Sequence, residues 1–300
     1  MKPNYLLKTT SLLAICTLIL FSCNEKDKKV TYWEYYDLCL QAWDYYDEGK
    51  YDSASIAFNN AFELVKTPMI TDYNKSIQTE LKLKNIEKAT LLLKRLAKEH
   101  GYTPRSIYFD SSEQKDSLEE LVNDELDYFY NETLNKEFES FIDSIYKVDQ
   151  NFRTQNEEKR LTYPKDVNID SLNTMALLGK IKIWGFPSSR NVGVWAYNKS
   201  FIILLHADFD LENDILGEIL YEALSKGEMK PKSYAEIMDR RANFRGEEMI
   251  YYQVPWGYNS LIEEEKSEIS RRRNKIGLRS VEKCIEFVEK DGNLSVTFKY

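Results

Sequence analysis

The segment from Trp184 to Asp208 reads WGFPSSRNVGVWAYNKSFIILLHAD and organises the second half of the chain. Its Gly-Phe-Pro turn ends one helical pattern. A helix is predicted over Val192–His206, because no helix-breaking residue follows Gly193, although Phe201–Leu205 alone also fits a buried strand. This helix ends in one of the chain's two histidines, and we expect the C-terminal half to fold around it.

The residues on either side of this segment predict further helices. Apolar side chains recur at helical spacing over Leu118–Phe152, which is one long helix or two in sequence. Other helices are predicted at Asp170–Ile183 with Asp170 as its cap, from an Asp210 cap to Gly227, and over Ser233–Ala242, Leu261–Ile276 and Val281–Val288. Alternation at Gly246–Gln253 allows a short β-hairpin, and Leu294 begins a strand-like tail.

The first helical stretch, Tyr32–His100, contains an internal repeat. Small and aromatic residues recur after about 35 residues, close to the tetratricopeptide period of about 34 residues. The first copy contains Leu38, Ala42, Tyr45, Gly49, Tyr51, Ala54, Phe58 and Ala61, and the second contains Tyr73, Ile77, Glu80, Lys84, Ile86, Ala89, Leu93 and Leu96. The pattern resembles tetratricopeptide repeats, which implies a peptide or protein partner on these helices. A generic pair of helical hairpins is the alternative.

The breaker-rich stretch after His100, which begins Gly-Tyr-Thr-Pro, predicts a domain boundary. The fold class is therefore predicted to be mostly α: tetratricopeptide-like helical hairpins, then an α-rich domain with room for a small β-hairpin. The predicted segments are a signal peptide at 1–22, a lipidated tether at 23–31, hairpins at 32–100, a linker at 101–115, an α-rich domain at 116–290 and a tail at 291–300.

The N-terminus has the pattern of an export signal. Lys2 and Lys8 precede a short apolar run at Ser11–Phe21, and Cys23 follows Ser22. The run is too short to span a bilayer comfortably, so we interpret it as a cleaved signal. A small residue before a cysteine resembles the lipobox of bacterial lipoproteins, which implies a diacylated Cys23 anchored in the cell envelope, in the outer membrane. An ordinary secretory signal with an incidental Cys23 is the alternative.

Composition and motifs exclude several classes of function. The formal net charge of −8 argues against a nucleic-acid partner, because phosphate contacts need a basic surface. No zinc-type Cys/His cluster, phosphate-binding glycine loop or nucleophile elbow occurs, so no metal or cofactor is predicted. Cys39 and Cys284 lie in apolar patterns and are interpreted as free thiols, with a disulfide as the alternative.

Ordered motifs between about 138 and 289 resemble a bacterial domain family of unknown function. They are Asp149-Gln150-x-x-Arg153, Trp184-Gly185-Phe186-Pro187, Val192-Gly193, His206-Ala207-Asp208, Asp239-Arg240 and Ile276-Gly277-Leu278. One turn departs from the family pattern, because Met249–Val254 matches only at Tyr251. The resemblance implies a site built from the conserved motif residues, with no activity attached to it.

These motif residues form a candidate catalytic site of His206, Asp208, Asp149 and Arg153. Histidine suits acid–base chemistry, and carboxylates can orient it. Two alternatives remain open from the sequence. The first is a non-enzymatic interaction or scaffold protein in which His206 is a buried hydrogen-bonding residue. The second is an enzyme with His206 as acid or base, and Gln150, Asp239 and Arg240 belong to the same candidate set.

Overall fold

The computed structural model describes residues 32–102, 121–154, 168–207, 214–253, 257–290 and 293–298. The helices are α1 Tyr32–Asp47, α2 Tyr51–Leu64, α3 Ile70–Lys82, α4 Ile86–His100, α5 Asn123–Tyr128, α6 Lys136–Thr154, α7 Ile169–Trp184, α8 Ser189–Leu205, α9 Ile215–Ser225, α10 Pro231–Phe244, α11 Glu263–Lys275 and α12 Val281–Cys284. A π-helical turn (Phe129–Thr133), a 3-10 turn (Tyr258–Ser260) and two strands, β1 Ile285–Lys290 and β2 Asn293–Phe298, complete the described elements. The prediction of a mostly α fold is confirmed.

The first four helices form the two predicted hairpins, α1–α2 and α3–α4. Gly49 turns the first with a left-handed φ of 73°, and Lys84 adopts φ 58° at the corresponding place in the second. Glu80 is fully buried in the second hairpin, where the repeat pattern has an aromatic residue. Its carboxylate is satisfied there, because Ser55 donates to it at 2.6 Å and Lys88 pairs with it at 2.8 Å.

The hairpins and the downstream helices share one hydrophobic core, and Tyr32–Tyr300 forms a single compact unit. The hydroxyl of Tyr36 in α1 donates to the carbonyl oxygen of Leu224 in α9 at 3.0 Å. The backbone at Gly277 also approaches the Tyr36 ring closely, because a Cβ there would lie 2.6 Å from the Tyr36 side chain. The aromatic side chains of α1 are therefore buried against later helices, across the predicted domain boundary.

Arg190 near the start of α8 ties the two parts together. Its guanidinium donates to the hydroxyl of Tyr32 at 2.7 Å and to the carbonyl oxygens of Thr67 and Gly227, each at 2.8 Å. These acceptors belong to α1, to the loop between the hairpins and to the α9–α10 loop. One side chain therefore donates to backbone carbonyls of both the hairpin region and the later helical region.

The β-hairpin forms at a different place from the one predicted. Residues Gly246–Gln253 form no strand, because the carboxylate of Asp239 accepts the backbone N–H groups of Ile250, Tyr251 and Gln253. Strands β1 and β2 pair antiparallel instead, with Ile285 opposite Phe298. The predicted helix Val281–Val288 therefore ends at Cys284, and the predicted tail contributes a strand.

The stretch Leu118–Phe152 contains two helices in sequence, one of the two predicted alternatives, and the break follows the π-helical turn, where Asn135 donates its backbone N–H to the carbonyl oxygen of Asn191. Two other helix predictions differ in detail. Asn168, not Asp170, caps α7, because its side chain accepts the N–H of Ser171 at 3.0 Å. The segment after Pro187 forms α8, a kinked helix in which Gly193 has φ 75°.

Several predictions concern residues outside the described ranges. These are the signal peptide, the lipidated Cys23 with its tether, the linker beyond Tyr102, Asp208 and the Asp210 cap. Among the helices that the structure describes, none has the length and apolar composition needed to cross a bilayer.

Candidate functional site

The structure brings together most of the residues predicted for the catalytic site. Asp149 and Arg153 lie in the C-terminal part of α6, Asp170 lies in the first turn of α7, and His206 ends α8. Arg153 near the C-terminal end of α6 and Asp170 at the N-terminal end of α7 complement their helix dipoles, whereas Asp149, an anion near the C-terminal end of α6, depends on its side-chain partners. The convergence of three helix ends therefore produces this cluster, to which sequence analysis assigned every member except Asp170.

Asp149 is the centre of the cluster. Its side chain is 1% exposed, and Nη2 of Arg153 donates to its Oδ1 at 3.1 Å. Nδ1 of His206 lies 3.1 Å from the same oxygen, and Nε2 of Gln150 donates to Oδ2 at 2.7 Å. Arg153 also pairs with Asp170, so its guanidinium bridges two carboxylates.

The environment keeps Asp149 ionised. Burial by itself raises the pKa of this carboxyl, but the hydrogen bond from Arg153, the charge of His206 and the hydrogen bond from Gln150 outweigh burial and lower it. An ionised carboxylate can only accept, so Nδ1 of His206 donates to it. The other ring nitrogen, Nε2, is then the atom that could exchange a proton.

The same side chains have a spacing that a metal ion could use. Asp149, Asp170 and His206 each offer one ligand atom, and these atoms lie within 4.8 Å of one another. Arg153 already supplies a cation to both carboxylates, and its charge opposes a divalent ion there. The cluster is therefore first an ion-pair network that connects α6, α7 and α8.

The remaining predicted residues do not join the cluster. Asp239 is buried in α10 and accepts three backbone N–H groups, as described above, so it fixes the loop that follows α10. Burial raises its pKa, and those hydrogen bonds and the charge of Arg273 counteract the effect. Arg240, the next residue of α10, is exposed, and Asp208 lies outside the described residues.

The other histidine, His100, is the buried one. Nε2 lies 3.0 Å from the carbonyl oxygen of Pro68, and Nδ1 lies 2.8 Å from Oγ of Ser189. Because a carbonyl can only accept, Nε2 donates to Pro68 and Nδ1 accepts from the Ser189 hydroxyl. Burial and the charge of Arg190 lower the pKa of His100 to about 3, so the ring is neutral. No sequence motif includes His100.

A cavity of about 430 Å³ is bordered by α1 and α3 on one side. Residues of α8, the start of α10 and the segment from Arg273 to Cys284 form most of the rest of its wall. This volume falls within the range of about 300–1,000 Å³ that is usual for small-molecule sites. The large apolar and aromatic side chains lining it are Tyr36, Leu40, Trp43, Phe201 and Leu278, and charged side chains line it as well. None of the His206 cluster lines this cavity, so the molecule has two separate candidate sites.

A buried acid forms part of the cavity wall and is already satisfied by donors. Asp72 accepts from the hydroxyl of Tyr35 at 2.7 Å and from Nε1 of Trp43 at 2.9 Å. Burial raises its pKa, and the hydrogen bonds from Tyr35, Trp43 and Cys39 counteract the effect. Cys39 and Cys284, which also line the cavity, are both free thiols.

Comparisons with protein-family models, curated proteins and solved structures found no match for this chain. The resemblances to tetratricopeptide repeats and to the uncharacterised domain family therefore stay predictions.

Proposed function

We propose that this chain is a lipid-anchored protein of the bacterial cell envelope, in the outer membrane, which acts as a non-enzymatic binding module. Its ligand site is the cavity between the repeat helices and the C-terminal elements. The single observation that carries this proposal is that one cavity of about 430 Å³ combines large apolar and aromatic side chains with polar and charged ones, a combination that can bind and orient a small ligand.

The anchor part of the proposal depends on the N-terminal sequence. A positively charged start, a short apolar run and Ser22 before Cys23 together favour lipid modification at Cys23. Two acyl chains are sufficient for stable attachment to a membrane. Cys23→Ala should abolish partitioning into detergent and membranes, and continued partitioning of this variant would contradict the anchor.

A partner on the repeat helices is the form of binding that the sequence predicted. The packing favours a smaller ligand, because Tyr32 and Tyr36 of α1 are buried against the α9–α10 region. A peptide lying along this face of α1 would have to displace those contacts. The cavity needs no such displacement, so it is the better site for a ligand.

The binding role can be tested with a neutral apolar fluorophore, N-phenyl-1-naphthylamine. Thr71 lines the cavity and is exposed at the start of α3, so Thr71→Trp should block the entrance without disturbing the core. We expect saturable fluorescence enhancement by the protein and at least about a tenfold weaker affinity for Thr71→Trp, a difference of about 1.4 kcal/mol.

Thr133→Trp is the matched control, because Thr133 is also exposed but does not line the cavity. Its affinity for the fluorophore should equal that of the wild type. Equal binding by all three proteins would place the fluorophore elsewhere and overturn the cavity as the binding site.

Acid–base catalysis at His206 is a second candidate function. The observation that favours it is the convergence of His206 with Asp149 and Arg153, two of the three residues predicted to accompany it. Nδ1 of His206 is held by an ionised carboxylate, an arrangement that orients an imidazole for proton transfer.

The variant His206→Ala distinguishes a catalytic role of His206 from a structural one. A catalytic His206 predicts a wild-type melting temperature together with loss of the cellular role in a complementation assay. A structural His206 predicts that the cellular role falls only as far as the folded fraction falls. Full complementation by a stably folded His206→Ala protein would exclude the catalytic role.

A further inference from the structure

We infer that the cavity takes a small organic carboxylate with an apolar body, and that the ammonium group of Lys230 binds the carboxylate. The inference rests on the proposed binding function and gives the chemical class of its ligand. Nothing in the sequence motifs pointed to Lys230, which immediately precedes α10.

Lys230 is a cation that faces the cavity without an acidic partner. Among the residues that the structure describes, no carboxylate forms an ion pair with its Nζ. The group lies instead over the ring of Tyr197, 4.9 Å from the ring centroid. Burial and the neighbouring charge of Lys232 lower its pKa to about 8, so it remains mainly protonated at neutral pH. An anion in the cavity would supply the missing countercharge.

The backbone around Lys230 favours an anion in the same place. Lys230 is the N-cap of α10, a 14-residue helix that no side chain caps. The first N–H groups of a helix have no acceptor within it, and the helix dipole makes this end partially positive. The hydroxyl of Tyr197 accepts the backbone N–H of Lys230 at 3.0 Å and so fixes its position.

The other charged groups of the wall do not favour a cationic ligand. Four cationic and two acidic residues line the cavity. Of the acids, Asp72 is held by Tyr35 and Trp43, and Glu236 lies 3.9 Å from Nζ of Lys232. Neither is an unpaired anion that would attract an amine.

The rest of the wall selects an apolar body. Tyr36, Leu40 and Trp43 from α1 face Phe201 of α8 and Leu278 across the cavity. Arg273 is 1% exposed, and its guanidinium donates to the carbonyl oxygens of Tyr251 and Arg279. Because these bonds engage the guanidinium within the protein, Lys230 is the better binding group for an anion. A carboxylate at Lys230 would thus place its hydrocarbon part against these side chains.

The test compares three ligands of one chain length, decanoate, 1-decanol and decylamine, by calorimetric titration of the full chain carrying Cys23→Ala. Decanoate should bind at least about tenfold more tightly than the other two. Lys230→Met, which keeps an apolar stem, should weaken decanoate binding at least about tenfold and leave decanol binding unchanged. Lys180→Met is the control, because Lys180 also lies over an aromatic ring, 4.3 Å from the Trp184 centroid, but does not line the cavity.

The outcomes separate this inference from the proposed function. Equal decanoate affinity for the wild type and Lys230→Met, or tighter binding of decanol or decylamine, overturns the carboxylate assignment. The variant Thr71→Trp then tests whether the ligands bind in the cavity at all. Loss of decanol binding in Thr71→Trp keeps the cavity as the site, whereas unchanged binding of all ligands in that variant overturns both claims.

Discussion

The hydroxyl of Ser189 donates to Nδ1 of His100 at 2.8 Å, and this bond joins the last repeat helix to the start of α8. The opposite ring nitrogen donates to the carbonyl oxygen of Pro68 between the two hairpins. The ring is fully enclosed, so both contacts require a neutral imidazole. The junction between the two predicted domains is therefore sensitive to protonation.

Acid should destabilise the protein through His100. Its pKa is about 3 in the folded protein and 6.5 in the unfolded chain, so between these values the unfolded chain binds the extra proton. Stability is fully present above about pH 6.5 and falls by about 1.4 kcal/mol per pH unit below it. Between pH 7 and pH 5 the loss should be about 2 kcal/mol, measured by urea unfolding.

His100→Gln isolates this contribution. Burial raises the pKa values of Asp72 and Glu236, and raised carboxyl pKa values stabilise the fold at low pH, in the opposite direction. The difference between the wild type and His100→Gln cancels those terms. Parallel pH profiles for the two proteins would show that His100 is not held neutral.

The two histidines should differ in their effect on stability. His100→Ala leaves the Ser189 hydroxyl and the Pro68 carbonyl without partners in the interior, at a cost of about 1–3 kcal/mol. His206→Ala should cost less, because Asp149 keeps its bonds from Arg153 and Gln150. Chemical denaturation at pH 7 measures both values, and a larger loss for His206→Ala would contradict this order.

Asp239→Asn should destabilise the loop after α10. The carboxylate accepts three backbone N–H groups at 2.6–2.8 Å, and an amide offers only one oxygen to them. We expect a loss of about 1–3 kcal/mol. Arg240→Gln, at the neighbouring exposed position, should change stability by less than about 1 kcal/mol. Equal effects of the two substitutions would show that the pair acts together.

Lys84→Gly should stabilise the second hairpin. Lys84 holds φ 58° at an exposed turn, a conformation that costs a residue with a Cβ about 1–2 kcal/mol. Glycine adopts it freely but loses more conformational freedom on folding, so we expect a net gain of about 0.5–1 kcal/mol. The melting temperature should rise, and a fall would mean that the Lys84 side chain makes a contribution larger than this strain.

Unfolding should occur in one cooperative transition. The tyrosines of α1 pack against α9 and Gly277, so the hairpins and the later helices lose their core together. Circular dichroism and tryptophan fluorescence should therefore give the same denaturant midpoint. Two separated midpoints would contradict this and show that residues 32–100 unfold separately from the later helices.

Sequence patterns predicted the elements whose signals are local. Sequence patterns placed α1 to α4 and α6 to α11, and spacing on one helix face brought Asp149 and Arg153 together. Long-range packing was not visible in these patterns. The predicted cap of α7 is an example. Asp170 pairs with Arg153 of another helix, and Asn168 caps α7 instead.

The cavity could not be predicted from the sequence, because long-range packing forms it. Its wall combines α1 with Phe201 and Lys230, positions that only tertiary packing brings close. Lys230 gives no motif, since a lysine before a proline is an ordinary helix start. The unusual feature is burial without an acidic partner, which becomes visible only in three dimensions.

The central claim is that the cavity, and not the His206 cluster, receives the ligand. Hydrogen–deuterium exchange of the Cys23→Ala chain with and without decanoate tests it most directly. Protection should appear at Tyr36–Trp43 and Lys230–Glu236, which line the cavity, and the segments around Asp149 and His206 should exchange as before. Protection confined to the segments around Asp149 and His206 would contradict the account.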